Sequence, residues 1–315
     1  MIAEEIIMEN YDVYCYGMIA GSHSFMIEGG FLTPDEYSEL SASYSFPGGE
    51  TGTCATVLAA LGAKVKIDGT HIGSKVAPLV REFYSGKTVD ISSLTFDGDF
   101  AGLEDYVIIS GDTRTPMGTF GKFFSEAYGS GIRHWNKPKE EDIAGCKAAA
   151  VDAFFWDDSD LAAEYCVKHG KPYVTIDCKY DSYIHRHSAV SVISGEGIQN
   201  NYPGMTRGEL FPLYQKNGGG LTVITNGGKD FFYGRRGGEA KRFSPFKVNA
   251  VSTLGAGDSF KAGCAYALLK GMSDDELVTF ASACSAAAIS RYPLQLYPPV
   301  LDEIGAIIDS RNKQK

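Results

Sequence analysis

In the run VSTLGAGDSFKAG (Val251–Gly263), three residues with almost no side chain, Gly255, Ala256 and Gly257, precede a carboxylate, Asp258. Phe260, Cys264, Ala267 and Leu268 follow at helical spacing, which predicts a helix over 259–270 opening on this cluster. First-turn N–H groups of a helix lack intrahelical partners and lie at the positive end of its dipole. With so little side chain there, an anion can rest directly on the amides. A carboxylate sharing that hole would repel a phosphate. Placed beside the hole, it can accept the proton of a hydroxyl attacking phosphorus, and a base next to an anion hole is what phosphoryl transfer needs. Aspartate is also favoured at helix starts as a simple cap, so this stretch alone leaves both readings open. The chain has no G-x-x-x-x-G-K-[ST] loop, and no G-x-G-x-x-G turn follows its first strand.

Such a site needs a scaffold. YDVYCYG reads as a first strand, and GGETGTCATVLAALGA as a helix from about Thr51 to a stop at Gly62, with Cys54, Val57, Leu58 and Leu61 at i, i+3, i+4 and i+7. Strands are expected at KVKIDGT, ISSLTFDGDF, YVIISGDTRT, AAAVDAFF, PYVTID, SAVSVIS, LTVITN and FFYGRR. Helices are expected at SKVAPLVREFYSG, at SDLAAEYCVKHG, at 274–290 with a Ser273/Glu276 capping box, and at 299–311. Strands alternating with helices imply an α/β fold: a doubly wound, mainly parallel sheet flanked by helices. Two β-rich excursions, about 18–47 and 91–120, break the alternation and are expected to form a small lid on a single domain spanning 1–315.

Of the 315 residues 44% are hydrophobic, enough for one large core, and the formal net charge is −10. Without a basic stripe the chain is not expected to bind nucleic acid. No apolar run reaches the ~18 residues of a membrane span, and the acidic start is unlike a secretory leader, so a cytoplasmic protein is expected. Seven scattered cysteines without a C-x-x-C pair fit reduced core thiols. Glycine contributes 37 residues, well above the usual ~7%, as expected where backbone approaches a ligand.

TLGAGDSF and GGETGTCATVLAALGA together resemble the ribokinase-like (PfkB) family of carbohydrate kinases. TVITNGG (Thr222–Gly228), FASACSAAAISR (Phe280–Arg291) and AGLEDYVIISGDTRT match further family segments in the right order. The resemblance implies an ATP-dependent kinase acting on a hydroxyl of a sugar or sugar-like molecule. Asp258 would be the base, with Gly255, Ala256 and Gly257 as the anion hole. Thr225, Gly227, Ser282 and Ser194 would lie along the nucleotide, and Mg2+ would bridge the phosphates through water near Glu196. Ser22, Gly48, Gly49, Glu50, Thr53 and Arg114 would face the acceptor.

Departures from the family pattern fall mostly on that acceptor side. Ser22 and Thr53 replace a sugar-gripping Asp and Asn, and Glu50 would be a new contact to an amine or a differently placed hydroxyl. Ser194 replaces the Asn of an N-x-x-E motif. Ser252 replaces the Asp that opens the late motif, which puts a monovalent-cation effect in doubt. The expected acceptor is therefore neither ribose nor a common hexose. A nucleoside kinase, with Phe25, Phe31 or Tyr44 stacking on a base, and a non-catalytic binding relative are the alternatives. Exposed lid edges and the resemblance both point to a homodimer through the lid. Asp157–Asp160 reads as a helix cap rather than a metal cluster, and His185–His187 as a solvated turn.

Overall fold

The computed structural model describes residues 10–28, 33–111 and 113–312; Phe31 lies outside them. In the first strand, Tyr11–Gly17, Val13 and Cys15 point to one face while Tyr14 and Tyr16 point to the other, and all four are buried. Burial on both faces is the signature of a sheet covered by helices on both sides. The nine-stranded sheet runs, edge to edge, Lys241–Phe243, Phe231–Arg235, Leu221–Ile224, Val190–Ile193, Tyr173–Ile176, Cys146–Asp152, Tyr11–Gly17, Val65–Gly69 and Val89–Asp90. Neighbours from Leu221–Ile224 onward are parallel, and the first two pairings are antiparallel.

Helices Gly49–Ala60, Ala256–Leu269 and Asp274–Ile289 share the apolar cluster of Val13 and Cys15. Phe120–Ser130, Asp157–Lys168 and Arg207–Asn217 share that of Tyr14 and Tyr16. Gly263 brings two helices together, since a Cβ there would lie 2.7 Å from Ala281 Cα. All seven cysteines are buried. Among the described residues no helix is long and apolar enough to cross a membrane.

A separate four-stranded sheet consists, in order, of Leu40–Gly48, Ala20–Ile27, Glu104–Ser110 and Thr113–Gly118. The strand expected over ISSLTFDGDF shrinks to Phe96–Asp97, which pairs with Ile72–Gly73 instead. Asp97 Oδ1 accepts from the N–H groups of Asp99 (3.0 Å) and Phe100 (3.2 Å), a local turn that ends the extended run. The helix expected from Ser259 starts at Ala256, because Gly255 (φ +75°) makes the sharp entry. Helices at 120–130, 140–144, 195–201 and 207–217 are additions to the sequence reading. Glycines or a proline weaken three of them locally, but Thr206/Glu209 form a capping box legible as T-x-x-E.

Asp157, Asp158 and Asp160 occupy a first helical turn, yet Trp156 is the N-cap and no side chain caps it. Asp158 instead accepts from Arg133 and Trp135 Nε1. His185 is not solvated: it is buried, with Nε2 2.8 Å from the Tyr214 carbonyl.

Candidate active site

Beyond the C-terminal ends of the parallel strands lies a cavity of about 600 Å³, where open α/β sheets place their ligands. Strand ends contribute Asp177, Ser194 and Thr225; two helix starts contribute Gly48–Thr53 and Thr253–Asp258; the small sheet contributes Ser22, Phe46, Asp105 and Arg114. Each residue expected at the site from sequence lines this cavity: Asp258, Gly255, Ala256, Gly257, Thr225, Gly227, Ser282, Ser194, Glu196, Ser22, Gly48, Gly49, Glu50, Thr53 and Arg114. Phe25 and Tyr44 do not; the aromatic lining comes from Phe46, Phe120, Phe231, Phe246 and Phe260.

The helix Ala256–Leu269 has no side-chain cap, which leaves its first-turn amides facing the cavity. A Cβ at Gly255 would lie 2.4 Å from Leu294 Cδ2, so packing and φ both demand glycine. Gly257 is exposed in the cavity, and a Cβ there would come no closer than 3.6 Å to Ile176 Cδ1. Asp258 is half-buried. Burial pushes its pKa up to about 7; Lys261 and Arg114 oppose this, while Asp152 and Asp177 add to it.

Lys261, one helical turn on from Asp258, has no solvent exposure and is paired with Asp152, equally buried at the end of its strand. Burial works against the lysine charge, but Asp152, with Cys54 and Asp258, outweighs it and raises the pKa. Asp152 Oδ2 also accepts from Thr51 Oγ1 (2.8 Å) and Met18 N (3.1 Å). Glu50 stands near both aspartates; burial first, then Asp258 and Asp152, hold its carboxyl well above the ordinary range.

Around Glu50 the lining is rich in acceptors. Ser22 is the register partner of Asp105, and a Cβ at Gly48 would lie 1.9 Å from Ser22 Oγ. Asp105 Oδ1 and Gln295 Oε1 are buried without a hydrogen-bond partner, while Gln295 Nε2 donates to Thr53 Oγ1 at 3.2 Å. Arg114 reaches across from the small sheet and donates to the Thr253 carbonyl at 3.0 Å.

On the other side, Asp177 accepts from Ser194 N (2.6 Å) and Oγ (2.8 Å). Burial raises its pKa, Ser194 opposes, and Glu196 adds to the rise. Arg207 Nε donates to the Thr225 carbonyl at 2.9 Å, and its Nη2 lies 2.5 Å from where a Gly195 Cβ would stand. Ser282 lines the cavity, as do the apolar Leu254, Ala286 and Ile289. Ser252 is buried and its Oγ accepts from Leu254 N at 3.3 Å.

Asp152, Lys261, Asp177, Asp105, Gln295 and Arg207 escaped the sequence reading. Two had a signal: Asp152 ends the apolar run Ala148–Val151, and Lys261 is a charge set among the small and apolar residues Phe260, Ala262, Gly263 and Cys264.

Residues 206–299 match the pfkB family carbohydrate kinase profile. A 5-dehydro-2-deoxygluconokinase of Shouchella clausii is 32% identical over 92 residues, a stretch covering 29% of this chain and 28% of that relative. Arabidopsis thaliana ribokinase complexed with ribose and ATP superposes with a TM-score of 0.76 at 15% identity, over 95% of this chain and 98% of that one. A Burkholderia thailandensis nucleoside kinase in complex with inosine gives 0.72 at 17% identity, over 95% and 96%. At such identities the likeness is one of fold.

Proposed function

We propose that this ribokinase-like chain of the pfkB family is an ATP-dependent kinase that transfers the γ-phosphate to a hydroxyl of a sugar-like small molecule. The observation that carries the reading is a half-buried carboxylate poised at about 7, Asp258, beside the uncapped amides of Gly255–Gly257 on one wall of the cavity. The acceptor hydroxyl gives its proton to Asp258 as its oxygen bonds to the γ-phosphorus. The bond from that phosphorus to the β–γ bridging oxygen breaks, and ADP leaves with the electron pair. The amides stabilise charge on the transferring group.

Thr225, Gly227, Ser194 and Ser282 line the nucleotide side in this reading, and Arg207 adds a cation near the phosphates. Asp177 and Glu196 suit Mg2+, an oxygen-seeking ion that keeps much of its water: both are carboxylates on that wall, and Ser194 fixes one of them. When bound, the ion neutralises phosphate charge. Ser252 offers no carboxylate and spends its hydroxyl on the turn, so turnover is expected without potassium.

The small sheet serves as a lid, closing through Arg114 onto Thr253. Glu50, Asp105 and Gln295 present oxygens that call for donors on the acceptor, either hydroxyls or an amine. Two copies pairing through the lid would cover Leu40, Tyr106 and Met117, which are exposed on it; light scattering of the purified protein tests this. A nucleoside acceptor is the second reading, favoured by Phe46 and Phe120 in the lining.

ATP consumption across sugars, polyols, amino sugars and nucleosides, with Asp258→Asn in parallel, tests the proposal. Turnover of a hydroxylated compound that the variant loses supports it. Undiminished activity in Asp258→Asn refutes the base, and equal inactivity of both proteins on every compound indicates a binding protein. Strong turnover of ribose, fructose or phosphofructose would overturn the unusual-acceptor reading.

A further inference from the structure

Apart from the cavity, three side chains with no sequence motif in common converge: His71, Asp97 and His134. One potential ligand atom from each lies within 4.8 Å of the others. The Nδ1 atoms of His71 and His134 are 3.7 and 3.8 Å from Asp97 Oδ2.

Backbone pairing brings them together. His71 N donates to the His134 carbonyl at 2.8 Å, and Ile72–Gly73 pairs with Phe96–Asp97. Each side chain is also aimed. Asp97 Oδ1 is held by two backbone N–H groups, which presents Oδ2 to the imidazoles. The His134 ring stacks on Phe100 with centroids 4.1 Å apart. His71 Nδ1 is buried and has no hydrogen-bond partner, an unexplained lone pair or proton facing the cluster.

We propose that His71, Asp97 and His134 form a binding site for a divalent transition ion of the zinc class, separate from the magnesium that accompanies ATP. Two imidazoles and a carboxylate are a ligand set that Zn2+ takes readily, with water in the fourth position. Bonds of about 2.0–2.1 Å in a tetrahedron put ligand atoms roughly 3.3 Å apart, so binding would draw the carboxylate–imidazole spacings of 3.7 and 3.8 Å inward a little and close the cluster from within 4.8 Å. The ion would staple three segments together: the chain around Ile72, the turn at Asp97–Phe100, and the loop carrying Trp135. Gly73 of the first packs against Gly102, just before the lid strand Glu104–Ser110. Its role is structural support under the lid rather than chemistry.

The test titrates Co2+, a spectroscopic substitute for zinc, into the full-length protein after chelator treatment, with excess Mg2+ present. One Co2+ per chain is expected at low-micromolar affinity, with the d–d absorption of a four- or five-coordinate ion and paramagnetically shifted histidine ring protons. His134→Gln and Asp97→Asn should each weaken uptake by roughly tenfold or more, while Asp258→Asn leaves it unchanged. Zn2+ should displace the Co2+ and raise Tm in the parent protein but not in the two variants. Absence of uptake overturns the proposal, as does uptake indifferent to both variants or abolished by Asp258→Asn. If His134→Gln does not fold, Asp97→Asn and the shifted ring protons of the parent protein decide the matter.

Discussion

Lys261 and Asp152 form an ion pair with no solvent exposure one helical turn from Asp258. Its charges reach two carboxylates of the cavity: the lysine favours the ionised forms of Asp258 and Glu50, and Asp152 disfavours them. On the proposed reading of Asp258 as the base, the pair is both a fold element and a control on that base.

Lys261→Met should separate the two roles. It strands a buried Asp152 charge and should cost about 3–5 kcal/mol in denaturant unfolding. With the cation gone the Asp258 pKa rises, so the acid limb of kcat/KM moves to higher pH. Adding Asp152→Leu should restore most of the stability, and it removes the opposing charge, returning the acid limb toward its starting position. An acid limb unmoved in the single variant would show that Lys261 serves the fold alone.

With Asp258 as the proposed base, its pKa sets the expected pH dependence of turnover in the parent protein. A base works deprotonated, so kcat/KM should be level above its pKa of about 7 and fall about tenfold per unit below it. Stability runs the other way. A carboxyl whose folded pKa is raised holds its proton in the native state between about 4 and 7 while the unfolded chain has released it, so its contribution to stability is lost as pH rises through that window. Asp258→Asn should remove this part of the pH dependence and melt higher at pH 8. Its kcat should fall roughly 10²–10⁴-fold with ATP affinity nearly unchanged; calorimetric ATP binding and melting curves at two pH values check both halves.

Two glycines of the proposed anion hole make opposite predictions. Gly255→Ala meets a left-handed φ of +75° and Leu294, so it should destabilise the fold by about 1–3 kcal/mol. Gly257→Ala meets only a contact at 3.6 Å, so it should fold normally but push a methyl group into the space where the phosphoryl group would lie. Melting temperature should drop for the first alone, and kcat for both. A fully active Gly257→Ala enzyme would move the phosphate elsewhere.

The helix mouth at 255–258 was legible because it announces itself in a short run: small residues, a carboxylate, then apolar spacing. The doubly wound sheet was legible from alternation, since its inner strands are apolar on both faces, as AAAVD (148–152) shows. What escaped depends on distance in the chain. Lys261 and Asp152 are 109 residues apart, and neither reveals its partner before the strand end meets the helix. Gln295 reaches Thr53 across 242 residues. The 207–217 helix escaped for a local reason: Pro212 sits in its interior and masks a capped start.

Acceptor recognition gives the last prediction. Asp105 Oδ1 and Gln295 Oε1 are buried without donors, and Glu50 lines the same cavity. Burying such groups unpaired is costly, so a substrate that supplies O–H or N–H donors recovers what one lacking them forfeits. Glu50→Gln exchanges an acceptor that can carry charge for a neutral amide of the same shape. It should lower kcat/KM by roughly 10–100-fold on the best acceptor, mostly through KM, because the contact forms in the ground state as well as the transition state. If the acceptor carries an amine, its hydroxyl analogue should lose less than the amine does. Equal losses for both would mean that Glu50 reads a hydroxyl. A loss confined to kcat, with KM unchanged, would instead place Glu50 with Asp258 in proton transfer.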